Sequence, residues 1–183
     1  MSRIETPVSI DTAPASARPL LEAVQAKLGS VPNMFRLLSA SPATLEGYLG
    51  LNGALSTGKL SPATREAIAL VLANVNGCTY CNSAHGFIAK NLVKVDDAEI
   101  DANRDAQSSD PKTAAALKLA HKIAVERGQV DQADLDAARA AGYDDTELVE
   151  IVGHVALNVL TNYINEVFKT DVDFPLYEVR KAA

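Results

Sequence analysis

Residues 61–92 read SPATREAIALVLANVNGCTYCNSAHGFIAKNL, and this stretch decides the fold. Ser61 is a good N-cap residue, and the proline after it suits the first position of a helix. Apolar residues then continue until Asn-Gly at 76–77 interrupts the helix. The stretch therefore predicts one helix over 62–75 and a second helix over 78–92, joined by a very short connection that makes the two double back on each other.

The rest of the chain shows further helical periodicity, and strand-like alternation nowhere persists for more than a few residues. Leu20, Leu21 and Val24 recur at helical spacing before Gly29, where a helix would stop. Further helices are predicted over 34–40, 42–58, 96–104, 111–128, 131–141 and 144–169. We therefore expect an all-α protein.

The domain organisation follows from where the helical pattern begins and ends. We expect a flexible N-terminal arm over 1–13, a single helical domain over 14–170, and a C-terminal tail over 171–183. The tail contains Phe174 and Pro175, which would pack on this subunit or on a neighbouring one.

The charge and composition of the chain disfavour some classes of binding partner. The 17 Lys and Arg residues against 23 Asp and Glu residues give a net charge of −6, which disfavours a nucleic-acid or membrane surface as the main partner. No stretch reaches the roughly 18 apolar residues of a membrane span, and the first 20 residues lack the pattern of a signal peptide. We expect a cytoplasmic protein whose two cysteines are not needed as structural staples.

The chemistry is concentrated in Glu66, Cys78, Cys81 and His85. If a helix starts at Cys78, the i,i+3 spacing puts both sulfurs on one face, and the i,i+4 spacing places His85 beside Cys81. Backbone N–H groups at a helix start favour a thiolate, and such environments lower a cysteine pKa from about 8.5 to roughly 3.5–7.5. Because the two helices double back, Glu66 can reach the imidazole or a thiol and transfer a proton.

The same residues leave other readings open. Cys78, Cys81 and His85 are possible zinc ligands, with Glu66 as a conceivable fourth, although structural zinc sites usually have a second ligand pair farther along the chain. The two cysteines could also be small core residues.

The spacing Glu66-x11-Cys78-x2-Cys81-x3-His85 resembles the E-x11-C-x2-C-x3-H motif of alkyl hydroperoxidase D (AhpD)-like proteins in the carboxymuconolactone decarboxylase family. All four motif positions match. The flanking segments 31–35 and 172–175 also resemble those of the peroxidase-related members, so that the similarity extends over most of the chain.

This resemblance implies an AhpD-like helical bundle with its CxxC at the start of the helix that follows the Glu-bearing helix. It implies a homo-oligomer, a trimer or hexamer, that reduces a hydroperoxide with a redox-active dithiol and without a cofactor. In that reading Cys81 attacks the peroxide and becomes a sulfenic acid, and Cys78 condenses with it to form a disulfide. Glu66 and His85 manage the protons, and a thiol or dithiol partner resets the enzyme.

The chain departs from the best-known members of the family at Tyr80, where those members have a histidine between the cysteines. The departure implies weaker peroxidase turnover or a different substrate. Decarboxylase members lack the cysteine pair, which argues against a carboxymuconolactone decarboxylase-like lyase. An oligomeric scaffold with vestigial redox chemistry is a further alternative.

Two groups of residues are possible auxiliaries. Tyr80 would either hydrogen-bond a peroxide or thiolate, or pack in the core. His154, Asn158 and Asn162 step by four along the last predicted helix and form a polar stripe in an apolar segment. We expect this stripe to be held by interhelical or intersubunit hydrogen bonds, as buried polar groups require, with orientation of the substrate as the alternative role for His154 and Asn158.

Overall fold

A computed structural model describes residues 2–180, and within that range the chain contains helices and no strands. The all-α prediction is therefore confirmed. The helices are α1 (Arg18–Leu28), α2 (Asn33–Leu38), α3 (Pro42–Leu55), α4 (Pro62–Val75), α5 (Thr79–Ile88), α6 (Asp97–Arg104), α7 (Pro111–Val125), α8 (Gln132–Ala140) and α9 (Asp145–Phe168). A 3-10 turn, Ala15–Ala17, precedes α1, and a wider π-helical turn, Ala89–Val93, follows α5.

The predicted helix boundaries agree with the structure within three residues except around the cysteines. The helix predicted over 62–75 matches α4 at both ends. The helix predicted over 78–92 begins one residue later, because Cys78 has an extended backbone (ψ 97°) and caps α5 from outside. Its α-helical hydrogen bonding stops at Ile88, and the π-helical turn Ala89–Val93 completes it. None of the helices in residues 2–180 is both long and apolar enough to cross a membrane.

Helix α4 lies at the centre of the fold, in contact with α5, α6, α7 and α9. Ile68, Leu70 and Leu72 are all fully buried, although they point in different directions around the helix. This is the pattern of a helix that is apolar on every side. Each such side chain contributes roughly 1.5–3 kcal/mol by leaving water, so that α4 is a rigid support for the residues it carries.

A second apolar cluster contains the cysteines. Side chains from α1, α2 and α3, including Leu21 and Leu45, pack against Cys78 and Cys81 at the beginning of α5. Both cysteines are therefore almost completely buried.

Side-chain caps and a terminal contact fix the ends of several helices. The carboxylates of Asp96 and Asp144 accept the backbone N–H groups of Glu99 and Glu147, each at 2.9 Å, so that each aspartate caps the helix that follows it. The predicted N-terminal arm covers residues 1–13, of which residue 1 lies outside the described residues. Within this arm, the backbone N–H of Arg3 donates to the carbonyl of Phe168, at the end of α9, at 2.7 Å.

The C-terminal tail packs on its own chain. Residues 171–180 have no helix, and the part of the predicted tail over 181–183 lies outside the described residues. Phe174 contacts the rings of Tyr80 and Phe87, with both centroid separations at 5.8 Å. The backbone N–H of Tyr177 donates to the hydroxyl of Ser83 at 3.0 Å. The tail therefore covers one side of α5.

Candidate active site

The corner between α4 and α5 positions both cysteines. The backbone N–H of Gly77 donates to the carbonyl of Asn74 at 3.1 Å, and that of Cys78 donates to the carbonyl of Ala73 at 2.8 Å. This pair of hydrogen bonds is a Schellman motif. Gly77 has φ +70°, and a Cβ at this position would meet no other atom within 4 Å, so that glycine is needed here for backbone conformation and not for space.

Cys78 closes α4 and caps α5 at the same time. Its Sγ accepts the backbone N–H of Cys81 at 3.1 Å, as a serine oxygen would at an N-cap. The two cysteines form a disulfide with their Cα atoms 5.3 Å apart. Both are buried, with 0% of Cys78 and 2% of Cys81 exposed.

Glu66 and His85 face each other across the α4–α5 hairpin. Nδ1 of His85 lies 2.8 Å from Oε2 of Glu66, and about a fifth to a quarter of each side chain is exposed. A carboxylate at this distance fixes the orientation of the imidazole ring and keeps Nδ1 occupied. The other ring nitrogen is thereby left for proton exchange within the site.

Cys81, Glu66 and His85 line one cavity of about 330 Å³. Cys78 is not among the residues that line it. Aromatic and aliphatic side chains from α2, α3, α5, α9 and the tail form most of its wall, including Phe35, Phe87, Ile88, Leu157 and Phe174. Only one of the two sulfurs is therefore adjacent to a space that admits a small organic molecule.

The polar stripe of α9 lies along the same cavity. His154 and Asn158 line it, each about 5% exposed, and Nδ2 of Asn158 donates to the carbonyl of His154 at 2.8 Å. Nε2 of His154 has no hydrogen-bond partner among the described residues. Burial, and after it the positive charge of Arg65, lowers the pKa of His154. Its imidazole is therefore neutral at neutral pH.

The predicted network along the stripe is incomplete within one chain. Oδ1 of Asn162 accepts from Asn76 at 2.8 Å, as an interhelical bond should, but Nδ2 of Asn162 has no partner among the described residues. Asn162 does not line the cavity, unlike the other two members of the stripe. The stripe therefore divides into a packing residue and two residues at the cavity wall.

Sequence reasoning missed Tyr48 and Asn165, which line the cavity as well. Burial and, to a smaller extent, the charge of Glu66 raise the pKa of Tyr48, so that its hydroxyl remains protonated. Nδ2 of Asn165 donates to Sγ of Cys81 at 3.3 Å. Asn165 lies seven residues after Asn158, which is about two turns and therefore the same face of α9, and this periodicity was the signal available in the sequence. Tyr48 lies on α3, and no local pattern links it to the cysteines.

The hydroxyl of Tyr80 makes two hydrogen bonds that hold the walls of the site together. It accepts the backbone N–H of Met34 at 3.1 Å and donates to Oδ1 of Asp173 at 2.9 Å. Oδ2 of Asp173 accepts the backbone N–H of Asn33 at 2.8 Å. Tyr80 therefore joins the start of α2, the start of α5 and the tail, and its proton is engaged by a carboxylate.

The zinc alternative finds little support in this geometry. The sulfurs of Cys78 and Cys81 are bonded to each other, and residues 2–180 contain no group of three or more His, Cys, Asp or Glu side chains placed to bind one metal ion.

Residues 42–125 match the model of the carboxymuconolactone decarboxylase family. The matched segment includes all four residues of the motif. No curated protein sequence matches the chain significantly.

Solved structures share the fold over nearly the whole chain. An uncharacterised peroxidase-related protein from Ralstonia eutropha JMP134, described as an alkylhydroperoxidase AhpD core, is 27% identical with a TM-score of 0.84, covering 94% of this chain and 92% of its own. A peroxidase-related protein from Silicibacter sp. TM1040 is 24% identical with a TM-score of 0.80, covering 93% and 91%.

The debrominase Bmp8, solved in complex with 2,3,4-tribromopyrrole, has the same fold. It is 23% identical with a TM-score of 0.77, and the match covers 94% of each chain. The fold therefore accommodates more than one chemistry. The segment 42–125 is therefore similar to the carboxymuconolactone decarboxylase family, and the chain has the AhpD-like fold.

Proposed function

We propose that this protein is a thiol-dependent peroxidase that reduces organic hydroperoxides with the Cys78/Cys81 pair. The observation that carries the proposal is the common cavity, in which Cys81, half of a disulfide, lies with the Glu66–His85 pair. A dithiol beside a fixed imidazole has both the electrons and the proton relay that reduction of an O–O bond requires.

The first step consumes the peroxide. His85, held at Nδ1 by Glu66, takes the proton of the Cys81 thiol on its other ring nitrogen. The thiolate attacks the terminal oxygen of ROOH, the O–O bond breaks, and the electron pair leaves with the alkoxide. The alkoxide takes the proton back from His85, so that the products are ROH and the Cys81 sulfenic acid.

The second step forms the disulfide. The Cys78 sulfur attacks Sγ of Cys81, and the sulfenic oxygen leaves as water once it has received the Cys78 proton. An external thiol or dithiol donor then returns two electrons and two protons to the pair by thiol–disulfide exchange. The cycle requires no metal, haem or flavin, and we infer a reducing compartment such as the cytoplasm.

Burial supports Cys81 as the attacking residue and Cys78 as the resolving one. Cys78 is fully buried, caps α5 and does not line the cavity, whereas Cys81 does. A thiolate must contact the terminal oxygen directly, so that access decides between two sulfurs of similar chemistry.

Stopped-flow oxidation of the reduced protein by cumene hydroperoxide tests the assignment. We expect the Cys78→Ser variant to consume one equivalent of peroxide and to form a sulfenic acid that dimedone traps. We expect the matched Cys81→Ser variant to be inert. Oxidation of Cys81→Ser at the parent rate would show that the nucleophile is wrongly assigned, and inertness of both the parent and Cys78→Ser would refute the peroxidase.

Reductive debromination is a second candidate, favoured by the fold shared with Bmp8 and by the aromatic wall of the cavity. The dithiol would supply two electrons to a bromopyrrole, so that the C–Br bond becomes C–H and bromide and a proton are released. Bromide release from 2,3,4-tribromopyrrole, one equivalent per disulfide formed, would support this activity. The lyase alternative has no such observation in its favour.

We further propose that the chain forms a homo-oligomer through the outer face of α9. The exposed residues of this face recur at intervals of three and four over about five turns, and they are Val149, Val152, Ala156, Leu160, Tyr163 and Val167. Val149 is 71% exposed and Val167 is 55% exposed. A continuous apolar stripe of this kind is typical of a helix that packs on a second helix, here a second copy of the chain.

Light scattering after size exclusion tests this assembly. We expect Val149→Glu to lower the mass of the particle toward that of the monomer, whereas Val8→Glu, at an exposed valine (79%) outside α9, should leave it unchanged. An unchanged mass in both variants would place the interface elsewhere, and a monomeric parent protein would refute the oligomer.

A further inference from the structure

Asn165 makes an unusual hydrogen bond for a buried asparagine. It lies near the end of α9, only 2% exposed, and Nδ2 donates to Sγ of Cys81 at 3.3 Å. Oδ1 of the same amide has no partner among the described residues. A buried amide that served only packing would be expected to have its oxygen bonded as well. The one hydrogen bond of this side chain goes to the sulfur that reacts.

The two sulfurs receive their hydrogen bonds from different donors. The backbone N–H of Cys81, which the start of α5 leaves free, donates to Sγ of Cys78 at 3.1 Å and not to its own sulfur. The capping donor therefore serves the resolving cysteine. The attacking cysteine receives its donor from Asn165, on another helix.

The energetic value of the Asn165 bond depends on the redox state. The sulfur of a disulfide is a weak, neutral acceptor, whereas a thiolate turns the same contact into a charge-assisted hydrogen bond. The carboxylate of Glu66, which lines the same cavity, opposes a negative charge there. A neutral donor in contact with the sulfur offsets that repulsion without adding a titrating group.

We propose that Asn165 is a catalytic residue of this site, and that its amide N–H holds the negative charge of the Cys81 thiolate. The proposal rests on the proposed function, because it assumes that Cys81 reacts as a thiolate. It assigns to α9 a chemical role, in addition to its role in packing.

The pH dependence of thiolate formation tests the proposal without any peroxide. In a Cys78→Ser background, which leaves one thiol and keeps a capping residue, alkylation by iodoacetamide reports the thiolate fraction of Cys81. The thiolate absorbance gives the same titration independently of access to the cavity.

We expect Asn165→Leu to raise the midpoint of this titration by about one pH unit or more, which is the size expected for loss of a hydrogen bond to a charged group. Alkylation below the midpoint should slow about tenfold. Asn162→Leu is the matched control, since Asn162 is equally buried one turn earlier but bonds Asn76, and its midpoint should stay at the parent value.

Asn165→Asp keeps the shape of the side chain if the leucine variant does not fold. Its carboxylate would face the thiolate, so we expect a midpoint at least as high as that of Asn165→Leu. An unchanged midpoint in the folded Asn165 variants, or an equal shift in Asn162→Leu, would overturn the role of Asn165. If the parent protein reduces peroxide but the Asn165 variants have the parent midpoint, only the role of Asn165 is refuted. If the Asn165 variants shift the midpoint but the parent protein reduces no peroxide, only the proposed function is refuted.

Discussion

Replacing Tyr80 with phenylalanine separates the structural role of this residue from a chemical one. The ring is 4% exposed and lies between the two cysteines in the sequence. The substitution removes only the hydroxyl, so that the edge-to-face contact with Phe174 remains. The two hydrogen bonds of the hydroxyl, to Met34 and Asp173, are lost.

The cost of this change follows from the burial of the two partners. Met34 is 8% exposed, so that its backbone N–H is left without a partner, which costs about 1–3 kcal/mol. Asp173 is exposed and keeps its bond to the backbone of Asn33, so that water replaces the lost donor at little cost. We expect the free energy of unfolding to fall by about 2 kcal/mol, which corresponds to a Tm lower by roughly 4–8 °C for a domain of this size.

The rate of Cys81 oxidation should change much less than stability. Burial raises the pKa of Tyr80, and its proton is already donated to Asp173, so that the hydroxyl is poorly suited to deliver a proton to substrate. A general acid would contribute about 10²–10⁴-fold. We therefore expect less than a tenfold change in the stopped-flow rate with cumene hydroperoxide.

Urea denaturation and the stopped-flow assay together decide the role of Tyr80. Tyr163→Phe, which keeps the apolar ring on the outer face of α9 and removes only the hydroxyl of a residue that is 58% exposed in one chain, is the control and should change stability by less than about 0.5 kcal/mol. A Tyr80→Phe protein as stable as its parent would contradict the structural role of the two hydrogen bonds. A hundredfold slower reaction in a folded variant would show that the hydroxyl takes part in the chemistry.

Three other predictions test the corner and the cavity. Gly77→Ala should lower the free energy of unfolding by about 1 kcal/mol, because φ is +70° there. The control is Gly47→Ala, inside α3 with open space around it, which should raise the free energy of unfolding by about 0.5–1 kcal/mol. If urea denaturation gave the same change for both variants, the argument from the backbone conformation of Gly77 would be refuted. Glu66→Gln should slow oxidation by cumene hydroperoxide at least about 10²-fold without loss of helical circular dichroism, and an unaltered rate would remove Glu66 from the relay. The pKa of His154 is lowered in the folded state, so that below about pH 6.5 the unfolded chain binds the extra proton and stability is lost as the pH falls. His154→Gln should flatten this part of the pH–stability curve, and an unchanged slope would contradict a neutral buried imidazole.

Local signals determined the helices and the redox motif. Ser61, the apolar run after it and Gly77 are sufficient to predict α4 and its end, because capping, burial and a left-handed residue each act within a few positions. The spacing of Cys78, Cys81 and His85 follows from one helix, and the hairpin with α4 brings Glu66 to that helix. The start of α5 lies one residue later than predicted, because Cys78 acts as a cap and not as the first helical residue.

Tertiary packing decided which atoms meet in the cavity. Periodicity could mark His154 and Asn158 as a polar stripe, but it could not show that the stripe faces Cys81, since the rotation of α9 against α5 depends on side chains from several helices. Tyr48, Asn165 and the bond between Tyr80 and Asp173 join positions that are distant in the chain. The sequence by itself thus determined the cysteine pair and its proximity to Glu66 and His85, whereas only the packed fold decided which sulfur borders the cavity, because access depends on contacts that no local pattern encodes.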